Sequence, residues 1–250
     1  MTHVEWIGTG AGFNPELGNT SFLIRDSMKH LGNSILVDCG HTVTSALKMK
    51  GYLPKVTDII ITHLHDDHVG GLGLLGQINC FAYENHGNRP RLYLASDEMA
   101  HELWESCLKA GMQYGGSNVT KKFNIDDYFD VRVGEYIRFH HRPLPDVQFR
   151  FTPHVPGMEN YGLMIGGNVY YSGDTTVMPP FDAKLIFQDC QFWRGGVHIS
   201  LEELAAMPDY VKANTNLEHL GETFKDINPV ELGFPKFVMP GDIFDLKPYL

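Results

Sequence analysis

This sequence predicts an α/β fold: two packed mixed β-sheets flanked by helices, an αββα sandwich built as one domain over residues 1–250. Three observations carry that expectation. Short apolar runs of strand character recur along the chain, and helix-like stretches separate them. The composition is 43% hydrophobic over 250 residues, enough for a large core, and no Pro/Ser-rich linker, low-complexity tract or internal repeat divides it. Finally, a histidine-rich polar stretch sits where one strand-like run gives way to a helix-like one.

Residues 4–7 alternate as a strand and run into Gly8, Gly10 and Gly12. The glycine spacing is wrong for a dinucleotide fingerprint and Pro15 blocks an immediate helix, so the run reads as a tight turn with close backbone approach. Residues 19–24 and 34–38 are the next strands of one sheet. Residues 42–49 are helix-like, with Gly51 and Pro54 as the stop. Ile59, Ile60 and Ile61 form a buried strand, and residues 69–75 form a helix packed closely on it. Residues 91–94 make a short strand. Ser96 then caps a helix through about Ala110, with Asp97 and Glu98 in its first turn. Met99, Leu103, Trp104, Cys107 and Leu108 form an apolar stripe on it, read as core or as a subunit contact. Residues 111–117, glycine-rich around Tyr114, are either a lid or a surface connection. Strand-like runs between 128 and 139 turn at Gly134-Glu135, and residues 147–151 and 184–187 are further strands. Ser200 caps a helix that starts at Leu201.

The polar stretch is Thr62-His63-Leu64-His65-Asp66-Asp67-His68, with three imidazoles and two carboxylates inside six residues. His63 and His65 lie two apart and point the same way from extended chain. The following helix start presents Asp67 and His68 from the other side. Neutral imidazole and carboxylate suit Zn²⁺ and related first-row ions, so this is a metal site.

Three later segments come in order: Thr152-Pro153-His154 after the strand-like residues 147–151, then Tyr170-Tyr171-Ser172-Gly173-Asp174-Thr175, then Leu217-Glu218-His219-Leu220-Gly221. With the polar stretch, they make the chain resemble the metallo-β-lactamase superfamily over nearly its whole length. The resemblance implies one metal on His63, His65 and His154, a second on Asp67, His68 and His219, and Asp174 bridging the two. It implies two divalent transition-metal ions, Zn²⁺ in the first place and Mn²⁺ as the alternative. Asp38 stands in an Asp-x-Gly segment of the kind that members often carry beside the site. It is either a hydrogen-bond partner behind a ligand imidazole or a turn aspartate. In the tRNase Z-like branch a glutamate orients a histidine that protonates the leaving oxygen. Asp189 and His198 occupy those places here and are the implied catalytic pair, with Asp67 counted beside them. Gln188 departs from that branch, which has histidine there, and Ile199-Ser200 replaces its Ser-Thr.

Charge narrows the substrate. The net charge is -10, from 30 Asp and Glu against 20 Lys and Arg, which disfavours broad contact with a nucleic-acid backbone. No apolar run approaches a membrane span and no N-terminal signal is present. Cys39, Cys80, Cys107 and Cys190 are widely separated, without a CxxC, which fits a reducing cytosol. Two metals sharing a water lower its pKa and neutralise phosphodiester oxygens, and an alkoxide leaving group needs a proton donor such as His198. Phosphodiester hydrolysis is the expected reaction.

No long basic arm of the kind a tRNA-processing member carries is found. The layout, with Gly8-Thr9-Gly10, residues 19–24 and residues 198–204, resembles compact members that cleave cyclic mononucleotides. Phage-type anti-Pycsar phosphodiesterases, which degrade immune signals such as cCMP or cUMP, are among them. That resemblance implies a small cyclic-nucleotide substrate, a homodimer and a cytoplasmic home, the host cytosol for a phage-encoded chain. A lactonase, a tRNA 3′-end endoribonuclease and a non-catalytic nucleotide sponge are the alternatives, and the full ligand set speaks against the last. His3, His30, His41, His86, His101, His140 and His141 lack partners at telling spacing and are read as solvated or locally bonded.

Overall fold

The computed structural model describes residues 2–26, 34–82, 89–114, 121–139 and 144–250. The first apolar runs become β1 (His3–Gly8), β2 (Ser21–Arg25) and β3 (Ser34–Val37), paired antiparallel in that order. Helix α1 (Val43–Met49) carries the chain over to β4 (Val56–Ile60), which runs parallel to β3. Helices α2 (Asp66–Val69) and α3 (Leu72–Phe81) lead to β5 (Arg91–Leu94). Then come α4 (Asp97–Glu102), a π-helical segment Leu103–Leu108, α5 (Lys109–Met112), α6 (Ile125–Tyr128) and β6 (Asp130–Val133).

A second sheet uses β7 (Tyr136–Ile137), β8 (Val147–Phe151), β9 (Tyr161–Ile165), β10 (Val169–Tyr171), β11 (Leu185–Asp189) and β12 (Thr215–Glu218). Helices α7 (Leu201–Ala205) and α8 (Asp209–Lys212) lie between its last two strands in sequence. Strand β13 (Ile243–Asp245) returns to the first sheet. The orders are β13-β1-β2-β3-β4-β5-β6 and β12-β11-β10-β9-β8-β7. The two mixed sheets with flanking helices match the expected layers.

Strands β2, β3 and β11 are buried at every position. A strand covered on both faces reads as an unbroken apolar run, as Phe22-Leu23-Ile24 does. The larger core lies between the sheets, where the Trp6 and Phe187 rings meet at 5.3 Å and Phe22 and Tyr171 at 4.9 Å. Ile186 points to the opposite face and packs with Leu204, Val211 and Leu217 under α7 and α8. This layering aligns the C-terminal ends of β3, β4, β8, β10, β11 and β12. Asp38, the polar stretch, His154, Asp174, Asp189 and His219 all sit at those ends or just beyond them. Open α/β sheets bind ligands there.

Three elements differ from the sequence expectation. The single helix expected over residues 69–75 breaks at Gly70-Gly71, between α2 and α3. Gly71 N donates to Cys39 O at 2.8 Å, and Thr44 Oγ1 donates to Gly71 O at 2.7 Å. A Cβ on Gly71 would lie 2.3 Å from Gly40 O, so only glycine lets the chain press against the turn after β3.

The helix capped by Ser96 runs past Ala110 to Met112 and widens into a π segment on the way. Its stripe faces inward through Met99, Leu103 and Leu108, whereas Cys107 is exposed. That makes the stripe a core face. The turn at Gly134-Glu135 joins β6 of the first sheet to β7 of the second. Of the glycine-rich stretch around Tyr114, residues 111 and 112 belong to α5, and residues 115–117 lie outside the described residues. Among the described residues no helix is long and apolar enough to cross a membrane.

One buried ion pair ties β1 to β2. Arg25 and Glu5 bond side chain to side chain at 2% and 5% exposure, with Lys50 Nζ 3.7 Å from the same carboxylate. Arg25→Met strands Glu5 beside Lys50 alone and is expected to lower stability by about 3 kcal/mol, because a buried charge loses its main partner. Adding Glu5→Leu is expected to recover most of that loss. Urea unfolding midpoints of the single and double variants check it.

Candidate active site

Past Ile60 the chain leaves the sheet but stays extended, with His65 as the residue that enters α2. His65 Nδ1 lies 3.2 Å from His63 Nε2 and 3.1 Å from His154 Nε2. Asp174 Oδ2 faces the same group, 3.5 Å from His63 Nε2 and 3.6 Å from His154 Nε2. Its other oxygen, Oδ1, is 3.4 Å from His68 Nε2 and 3.5 Å from His219 Nε2. Asp67 Oδ2 completes the second group at 3.6 Å from His68 and 3.4 Å from His219. The seven residues expected as ligands are thus brought together as two four-residue groups that share Asp174, one oxygen to each.

The donor chemistry fits a pair of divalent cations. Buried His68 Nε2 and Asp174 Oδ1 find no hydrogen-bond partner among the described residues. Buried polar atoms left this way are rare unless a ligand or ion satisfies them. Hydrogen bonds behind the ligands set ring orientation: His63 Nδ1 to Thr62 Oγ1 at 3.1 Å, His68 Nδ1 to Asp38 Oδ2 at 2.9 Å, and His154 Nδ1 to Val197 O at 2.6 Å.

Asp38 therefore does more than close a turn. Its carboxylate also accepts from Thr62 N and Thr62 Oγ1, each at 2.8 Å, and from Tyr171 OH at 3.3 Å. It does so from a left-handed backbone conformation, φ 57°.

Electrostatics divides the two groups. Burial holds the His63 and His65 imidazoles below their ordinary range and brings His154 down to about 4. For His68 and His219 burial acts the same way, but carboxylates led by Asp174 outweigh it and push both up. Asp67 and Asp174 are held low by the same histidines against the opposing effect of burial.

Beside the cluster, His198 Nδ1 lies 2.8 Å from Asp189 Oδ2. That oxygen also accepts from Thr175 N at 3.1 Å, and Gln188 Nε2 donates to Oδ1 at 2.9 Å. Gln188, a departure from the resembled branch, thus helps hold the carboxylate. The short aspartate reaches because the histidine segment is pulled in: Ile199 N donates to Thr175 O at 2.7 Å, and Ser200 forms a capping box with Glu203. The His198 ring stands 4.9 Å from that of His154 and 4.8 Å from that of His219.

A cavity of about 590 Å³ opens over the cluster, with His65, Asp67, Asp174, His198 and His219 in its wall. His41, read from the sequence as lacking a partner, lines it too and lies 3.1 Å from Asp66 Oδ2. Nothing in sequence spacing signals that pair, since 25 positions separate the two residues. Phe13 and Trp193 in the same wall were also missed as site residues. Their signal was available, as each is an aromatic residue set in a glycine-containing turn.

The family described as Anti-Pycsar protein Apyc1 matches residues 2–244. A relative of that description from Bacillus phage 010DV004 is 33% identical over 96% of each chain. Another, from Paenibacillus sp. (strain J14), is 32% identical over 88% of this chain and 89% of its own. Among solved structures, the metallo-β-lactamase fold protein YhfI from Bacillus subtilis superposes with a TM-score of 0.71 at 18% identity. It covers 98% of this chain and 100% of its own.

The geometry makes metal content a direct test. His219→Ala removes a donor from one group and is expected to lower the bound metal from about two ions per chain to about one. Asp174→Ala, which touches both groups, is expected to lose both. Elemental analysis after gel filtration reads the difference, and full occupancy in Asp174→Ala would contradict sharing. Acidification gives a second readout. Protons compete at higher pH for His68 and His219, whose pKa values are raised, than for His63, His65 and His154, whose values are lowered. The Asp67 group is therefore expected to release its ion first as pH falls.

Proposed function

We propose, from the premise that this chain belongs to the anti-Pycsar protein Apyc1 family and has the metallo-β-lactamase fold, that it is a metal-dependent phosphodiesterase. It opens 3′,5′-cyclic mononucleotides to nucleoside monophosphates and so removes immune signals such as cCMP or cUMP. The observation that carries the reading is the Asp189–His198 pair standing beside two donor groups that share one carboxylate. Lactone or β-lactam opening has less need of such a proton donor.

In this reading His63, His65 and His154 would hold one ion and Asp67, His68 and His219 the other, with Asp174 as a donor to each group. The nitrogen and oxygen donors suit Zn²⁺ first and Mn²⁺ as the alternative. The bound ions supply an activated water at neutral pH and neutralise charge on phosphate oxygens. The side chains do the rest. His198 directs Nδ1 at Asp189, which leaves Nε2 to carry the proton given to the departing sugar oxygen. Asp189 orients the ring. Asp67, in the cavity wall, would accept a hydrogen bond from the attacking water.

A net charge of -10 and a cavity of small-molecule size both support a small substrate over a polynucleotide. The reading extends to a homodimer in the cytosol, which is the host's for a phage-encoded chain. Sedimentation at several concentrations is expected to give a mass near twice 28.2 kDa.

His198→Ala is expected to keep both metals and lose about 10²–10⁴-fold in turnover of cyclic nucleotides, the usual worth of a positioned general acid. The loss shrinks on a nitrophenyl phosphodiester, whose leaving group needs no proton, and Asp189→Asn shows a smaller deficit of the same kind. Equal losses on both substrates would reject the general-acid role. A panel of cyclic nucleotides, lactones and precursor tRNA with added Zn²⁺ or Mn²⁺ tests the substrate class, and absence of cyclic-nucleotide turnover would reject it.

A further inference from the structure

Phe13 and Trp193 are 93% and 62% exposed, yet both belong to the wall of the cavity over the metal-type cluster. Each is carried on a braced turn. Asn14 N donates to Ala11 O at 2.8 Å, while Ala11 N and Asn14 Nδ2 bond Leu220 O at 3.1 and 2.9 Å. Phe13 is therefore tied to the backbone next to His219. Its neighbour Gly12 lies against Asp67, where an added Cβ would come within 2.9 Å of Oδ2.

The turn that carries Trp193 is braced through its neighbours. The Gln191 amide donates to Gly195 O, and Arg194 makes two bonds to Glu202 at 2.6 and 2.8 Å. Gly196, at φ 105°, permits the turn that follows. Both rings are therefore carried, exposed to water, on braced backbone beside the metal-type cluster, which lowers the ordering cost of a ligand that stacks on them. Ala11, Gly221 and Val197 continue the apolar wall around them.

We infer that Phe13 and Trp193 form a base-binding subsite, on which the purine or pyrimidine ring of a nucleotide stacks while its phosphate lies at the metal-type cluster. The inference rests on the phosphodiesterase reading for its substrate but not for its geometry. Every nucleobase offers a flat π face, and aromatic side chains take it up directly. A cyclic phosphate alone would leave the outer part of a cavity of about 590 Å³ unfilled.

Phe13→Ala and Trp193→Ala are each expected to raise KM for a cyclic nucleotide by about 5- to 150-fold, the range measured for single base–aromatic stacks, with kcat little changed. Trp193→Phe should restore most of the affinity. Turnover of base-free ribose 3′,5′-cyclic phosphate should be unaffected by all three. Equal losses with and without the base would overturn the subsite.

A second arm needs no turnover. A nucleoside 5′-monophosphate is titrated into His198→Ala protein and tryptophan fluorescence is followed, with His198→Ala/Trp193→Phe as the control. Quenching that disappears in the control supports the subsite, and quenching absent from both, or equal in both, overturns it. If the wild-type chain turns over no cyclic nucleotide but this quenching is present, the phosphodiesterase reading fails and the subsite stands.

Discussion

A single buried carboxylate, Asp174, is the contact on which the rest of this site depends. Its two oxygens face two separate groups of imidazoles, and neither group is complete without it. Holding it there takes specific backbone. Gly173 precedes it at φ 57°, and a Cβ at that position would lie 2.8 Å from Tyr161 O. Buried Asn160 donates to Asp174 O at 2.5 Å and to Thr152 Oγ1 at 2.7 Å, so one amide spaces the loops that carry Asp174 and His154. Imidazoles and carboxylates gathered this closely out of water are costly by themselves. A cation is the group that relieves them, which couples metal binding to the stability of the native loops.

Around that carboxylate the two sheets act as a frame. Asp38 shows how closely they are joined. It directly follows β3, fixes the backbone and hydroxyl of Thr62 beyond β4, orients His68 in α2, and receives Tyr171 OH from the second sheet. A substitution there would loosen several ligands together, because each of these bonds ends on the same carboxylate. The ring contacts of Trp6 with Phe187 and of Phe22 with Tyr171 hold the sheets in the register that makes this possible.

The cavity then divides its work by position. Metal-type donors form the floor, and Asp189 and His198 stand to one side, where they make a further four-residue group with Asp174 and His219 and the histidine reaches the cavity. The mouth carries exposed aromatic rings and the His41–Asp66 pair. Charge handling and recognition of a flat apolar group thus occupy different depths of one pocket. That is a sound arrangement for a ligand whose anionic and aromatic parts are a few bonds apart.

Much of this was legible in the sequence. His63, His65, Asp67 and His68 announce themselves because their spacing is local and the strand and helix around them have fixed periods. His154, Asp174 and His219 were readable through the resemblance of their segments to the metallo-β-lactamase superfamily, and the structure sets each just beyond a strand end. The layers followed from the apolar pattern. What the chain order could not determine was every feature that depends on distant segments meeting. The break at Gly70-Gly71 is forced by the turn after β3, the partners of Asp38 come from three other segments, and His41 meets Asp66 only after folding. The reach of Asp189 to His198 is of the same kind, set by bonds that draw the two loops together. Local periodicity specifies residue type and element, whereas through-space contacts depend on the close packing of whole layers, and only the tertiary structure decides those.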